Sequence, residues 1–179
     1  KEMKKILLSA ALLLCLLAGA QAKAKPQYVY TEASDLTLIG KIHKDTPNPY
    51  HRVDTVKFKG FTRSENGQVR MSSGIAVVFK TDSPSITVKT VFRTPGYPTN
   101  TNGFSGRGYD LYIREGGQWI YAESGLPGEK DPKAPITLIS DMDGKMKECL
   151  MYLPLYSEME SVQIGVEKGS VMEAMENPF

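Results

Sequence analysis

The chain has 179 residues, 41% of them hydrophobic and 23% charged, with 22 Lys and Arg against 20 Asp and Glu. Three of the lysines and one glutamate fall within the first 22 residues, so the rest carries a formal charge of zero, which offers no electrostatic case for nucleic acid or an anionic membrane. About 157 residues suffice for one domain that buries roughly 70% of its unfolded surface.

Residues 1–22 read as an export signal, not as fold. Met3-Lys4-Lys5 is a basic start, Ile6 to Leu17 an apolar run, and Ala20 and Ala22 take the small-residue cleavage positions. The run is shorter than the roughly 20 residues of a membrane-spanning helix. Cys15 follows Leu14, where a lipoprotein would need a small residue. Cleavage leaves Cys149 alone, so the exported domain relies on its core and not on an internal disulfide. The expected location is secreted or periplasmic.

Beyond an N-terminal arm over 23–52, short strand-like runs follow one another. They span 53–58, 68–71, 74–79, 85–93, 109–113, 118–122, 135–140, 145–153 and 161–166. β-Branched and aromatic residues mark many of them, and turn formers bound most. Ile86, Val88 and Phe92 share one parity while Thr87, Lys89 and Arg93 share the other, the pattern of a half-buried strand. Ser34 to Ile39 has room for a single helical turn, and no amphipathic helix is evident. The expected class is all-β, a sandwich or barrel, over 53–170. Residues 171–179 would then begin a connection.

Two turns are legible. Asp141-Met142-Asp143-Gly144 predicts a tight hairpin, since Asp-Gly favours positive φ; it lacks the further ligands of a calcium loop. Gly116-Gly117 predicts another hairpin. It pairs Arg114 with Trp119, Ile113 with Ile120, Tyr112 with Tyr121, Leu111 with Ala122 and Asp110 with Glu123. Alternation then puts Leu111, Ile113, Ile120 and Ala122 on the core face. Asp110, Tyr112, Arg114, Trp119 and Tyr121 share the other.

That second face is the candidate site. Its rings could stack on sugar and its polar groups bond hydroxyls, with residues 97–102 overhanging; alternatively it packs on the second sheet or a neighbouring domain. Asp110 by itself reads as a structural carboxylate accepting amides from the preceding loop. Catalytic chemistry finds no support. His43 and His51 read as surface histidines, and Ser73 and Ser105 as turn serines outside any G-x-S-x-G elbow. No H-E-x-x-H, paired cysteines or phosphate loop occurs, so neither metal nor cofactor is expected.

Gly108-Tyr109-Asp110-Leu111-Tyr112 resembles the motif of the GxDLY domain, which precedes the catalytic domain in secreted SGNH-type (GDSL-like) esterases. Supporting segments follow in order: Tyr50-His51-Arg52, Val69 to Gly74, Ser85 to Val88, Tyr152 to Tyr156 and Ser161 to Gly165. The resemblance covers roughly Tyr28 to Phe179. It implies a jelly-roll-like β-sandwich beside an SGNH catalytic domain, which would be its partner. The nucleophile of such esterases has no Gly-Asp-Ser counterpart here, so no catalytic residue carries over. The expected function is a non-catalytic N-terminal domain that orients a carbohydrate-directed esterase domain or completes its cleft. An independent carbohydrate-binding module and a stand-alone adhesion sandwich are the alternatives.

Overall fold

The computed structural model describes residues 25–93 and 99–179; the predicted signal segment lies outside them. Among the described residues, ten strands form two antiparallel sheets that pack as an all-β sandwich. The smaller sheet runs β1 (Tyr28–Glu32), β9 (Met159–Glu167), β4 (Ile86–Phe92), β7 (Ile136–Ile139). The larger runs β10 (Met172–Ala174), β3 (Ala76–Thr81), β8 (Lys147–Tyr152), β5 (Tyr109–Glu115), β6 (Gln118–Gly125). β2 (Thr37–Ile39) also pairs β3, on Ala76–Val78, while β10 pairs Phe79–Thr81. No described helix is long and apolar enough to cross a membrane.

The core lies between the sheets. Val77 and Phe79 of β3, Ile86 and Val88 of β4, Leu111 and Ile113 of β5, Cys149 and Met151 of β8, and Val162 and Ile164 of β9 meet there. Each set follows the two-residue alternation of a strand. Cys149 is a small apolar filler, and burial pushes its thiol up to about 12. The other face of β4 is drier than its sequence suggests: Thr87 is buried, and Lys89 lies over the Tyr30 ring at 4.0 Å.

Several sequence expectations fail locally. Residues 53–58 form a turn, because Asp54 Oδ1 accepts from Val56 N and Lys57 N and so competes with strand pairing. Residues 63–69 form helix α1, which contradicts a strand at 68–71. Thr62 and Glu65 close a capping box there. None of its residues is buried, so it has no apolar stripe to betray it. A second short helix, α2 (Gly103–Arg107), is capped by Asn102 Oδ1, which accepts Ser105 N at 2.9 Å. β1 and β2 arise from the segment read as an arm, and β10 from beyond 170. The Asp141–Gly144 turn does not close a hairpin. It carries the chain from β7 in one sheet to β8 in the other. Positive φ at Asp141 and Gly144 bends the backbone without choosing which strands pair.

The Gly116-Gly117 hairpin does form, with φ of 56° and 83°. The pairs 114–119, 113–120 and 112–121 are as predicted. A bulge between Leu111 and Tyr112 then shifts the register, so Leu111 faces Glu123 and Asp110 faces Ser124. Ile120 is 46% exposed, not core, because β6 is the edge strand of its sheet.

Candidate functional site

The G-x-D-L-Y stretch divides between structure and surface. Gly108 has an ordinary φ of −73°, so its freedom is not the reason for glycine. A Cβ there would stand 2.5 Å from Phe104 O and 2.9 Å from Phe104 Cα, so only glycine lets α2 run this close to β5. Tyr109 points inward and is fully buried, with its hydroxyl 2.5 Å from Thr90 Oγ1. Leu111 is core. Asp110 and Tyr112 point the other way, onto the outer face of the larger sheet.

Strand pairing arranges that face in three rows. The first runs Ala76, Tyr152, Asp110, Ser124; the second Val78, Leu150, Tyr112, Tyr121. In the third, Lys80 faces Glu148 on β8, and Arg114 faces Trp119 on β6. Tyr112 sits edge-on between Tyr121 and Tyr152, with ring centroids 5.8 and 5.9 Å away. Such T-shaped contacts suit aromatic quadrupoles. Arg114 Nη1 reaches Glu148 Oε2 at 3.0 Å, and Lys80 Nζ reaches Glu148 Oε1 at 3.2 Å. Arg114 and then Lys80 hold the Glu148 carboxyl below its ordinary range.

All five predicted residues therefore share a face, and it is not packed against the second sheet. The C-terminal segment crosses part of it. Met175 packs on Ala76, Val78 and Leu150, and the Phe179 ring lies 6.3 Å from Trp119. Tyr121 remains 54% exposed and Tyr152 38%. Beside them, Phe104, Ser105, Asp110, Tyr152 and Leu155 line a groove of about 380 Å³. Asp110 stands exposed at its edge, while Asn102 caps the Ser105 amide in the first turn of α2. Of the loop expected to overhang the face, Tyr97 and Pro98 lie outside the described residues. Tyr152, Glu148 and Lys80 could not be read from the hairpin, because they belong to strands distant in sequence.

Ser73 and His51 have partners of their own. Ser73 Oγ donates to Leu155 O, and Ser72 Oγ donates to Pro154 O at 2.5 Å. His51 is buried, not a surface residue, with its Nε2 3.0 Å from Glu158 Oε1. Among the described residues no group of three or more His, Cys, Asp or Glu side chains could hold a metal.

Burial, aided by Arg70 and Arg93, lowers the His51 pKa despite Glu158. The folded protein then binds this proton less readily than the unfolded chain. Stability from this group is complete above about pH 6.5 and is lost as pH falls toward the folded value. Urea unfolding from pH 7.5 downward should give a slope between about 7 and 5 that is shallower in His51→Gln. Identical slopes would remove His51 from the acid response.

A family model described as "GxDLY: N-terminus of Esterase_SGNH_hydro-type" matches residues 27–172. A solved structure from Bacteroides ovatus ATCC 8483, assigned as a GDSL-like lipase, is 35% identical with a TM-score of 0.80. The match covers 86% of this chain and 44% of that one. The salicylyl-acyltransferase SsfX3 from a tetracycline biosynthetic pathway is similar in fold, at 17% identity and a TM-score of 0.59. That match covers 87% of this chain and 43% of that one. The chain thus spans less than half the length of either structure. No curated protein matches it.

Proposed function

The chain belongs to the GxDLY family, the N-terminal domain of SGNH-hydrolase-type esterases, and from that premise we propose that it docks on a catalytic domain through the outer face of its larger sheet. In this reading the sandwich is non-catalytic. It orients the esterase domain or walls one side of a carbohydrate-directed cleft, and the signal segment exports the whole protein.

One observation carries the reading: the C-terminal segment lies on the ring-bearing face, with Met175 and Phe179 against it. Chain continuing from Phe179 leaves the sandwich beside Trp119, on the face that also carries Tyr112, Tyr121 and Tyr152. Exposed aromatic rings next to an open groove are the anchors that interfaces favour. Asp110, Arg114 and Glu148 supply a polar rim.

The test is thermal unfolding of the protein expressed from the gene read past Phe179. Docked domains should melt in one transition, and the double substitution Tyr121→Glu and Tyr152→Glu should split it in two. The same pair placed in residues 23–179 alone should leave the midpoint nearly unchanged, since both rings are already exposed. Absence of an SGNH block downstream, or two independent transitions in the unsubstituted protein, would overturn the proposal.

A further inference from the structure

A second polar cluster lies where residues 47–70 meet the start of β9. It lines a cavity of about 250 Å³. Most of its polar groups are already committed. Asn48 donates from Nδ2 to Met159 O at 2.9 Å and accepts Tyr50 N at 2.8 Å. Asp54 Oδ1 accepts Val56 N and Lys57 N. Arg70 Nε donates to Asn66 O at 3.0 Å.

Two groups are held by electrostatic contacts alone. Glu158 Oε1 and His51 Nε2 are buried and face each other at 3.0 Å, an electrostatic contact that falls short of a well-formed hydrogen bond. Neither has a hydrogen-bond partner among the described residues. Arg70 Nε and Arg93 Nε stand 3.8 and 3.7 Å from the same Glu158 oxygen, beyond hydrogen-bond distance. The arginine side chains are 37% and 59% exposed, so they form a rim above a carboxylate floor. Leaving a buried polar atom without a partner costs about 1–3 kcal/mol, more for a charge, and native structures keep few such atoms without a reason.

The chemistry of this set selects its ligand. A carboxylate brings no proton for Glu158, and both it and a phosphate meet the Glu158 charge. An ammonium meets two guanidinium groups. An apolar group leaves both floor atoms unsatisfied. A hydroxyl donates to Glu158 and accepts from His51 or an arginine, and neighbouring hydroxyls can engage floor and rim together. The cavity is slightly below the roughly 300–1,000 Å³ of most small-molecule sites, which suits a single ring. Pro47 and Val56 add apolar wall for its C–H face.

We propose that the His51–Glu158 pocket binds one ring of a neutral sugar through adjacent hydroxyls. This goes beyond the docking reading and does not depend on it. The test is NMR titration of residues 23–179 with methyl glucoside, methyl galactoside, methyl mannoside and methyl xyloside. At least one should shift the His51 imidazole resonances saturably, with a Kd of about 1–10 mM. Glu158→Gln and Arg93→Ala should each weaken binding about tenfold or more. Arg93 is exposed enough for its substitution to keep the fold, and Tyr121→Ala should leave binding intact. No saturable shift at His51 with any of the four, binding indifferent to Arg93→Ala, or binding abolished by Tyr121→Ala would overturn the proposal. None of these outcomes bears on whether the catalytic domain docks on the sheet.

Discussion

Replacing Tyr109 by alanine is expected to lower the unfolding free energy by about 3–5 kcal/mol. The ring is fully buried between the sheets, and its hydroxyl meets Thr90 Oγ1 at 2.5 Å and Met159 Sδ at 3.6 Å. Alanine removes the whole ring and strands the Thr90 hydroxyl in a dry site. Against a typical total of about 5–15 kcal/mol, the loss threatens folding itself. Tyr109→Phe keeps the packing and loses only the hydrogen bond, so it should cost about 1–2 kcal/mol. Tyr112→Ala, three residues on, should cost clearly less than Tyr109→Ala. Its ring is half-buried on the outer face and touches Tyr121 and Tyr152. Urea denaturation of the three variants checks the order. Equal losses for Tyr109→Ala and Tyr112→Ala would refute the division of the motif into a core half and a surface half.

Glu32→Ala is expected to cost about 3–5 kcal/mol, from hydrogen bonds to a charged group worth about 1.5–3 each and not additive. Glu32 Oε1 accepts the Tyr50 hydroxyl and Val162 N at 2.9 Å, and Oε2 accepts Ser161 Oγ at 2.7 Å. One carboxylate thereby ties β1 to β9 and pins the fully buried Tyr50. Burial first, and then Glu32, raise the pKa of that phenol well above its ordinary range, so it stays a donor. Tyr50 adjoins His51, so the clamp also positions the second pocket. Glu32→Gln keeps one acceptor oxygen and should cost clearly less. A loss below about 1 kcal/mol for Glu32→Ala would show that neighbouring groups or water replace the carboxylate.

Much of the candidate face could be read from residues 108–123 alone. Alternation in Tyr109–Glu115 and two glycines that accept positive φ place Tyr112 opposite Tyr121 and Arg114 opposite Trp119. These are short-range facts, because side-chain parity and turn chemistry act over a few residues. The bulge at Leu111 was not legible, since the hairpin tolerates it without any change in composition. Ile120 was read as core because parity says which way a side chain points. Whether a second sheet lies in that direction is a separate matter.

Local sequence was enough for the all-β class, the Gly116-Gly117 turn, the inward direction of Leu111 and Ile113, and the shared direction of the five candidate residues. Each follows from local periodicity or from the backbone preferences of single residues. Long-range strand pairing brought Tyr152, Glu148 and Lys80 onto the face, left β6 at an edge, and ran 141–144 between two sheets. Tertiary structure also decided that His51 is buried against Glu158, more than 100 residues away in the chain. These outcomes depend on which distant strands win the competition to pair and bury surface, a global balance that no window of neighbouring residues contains.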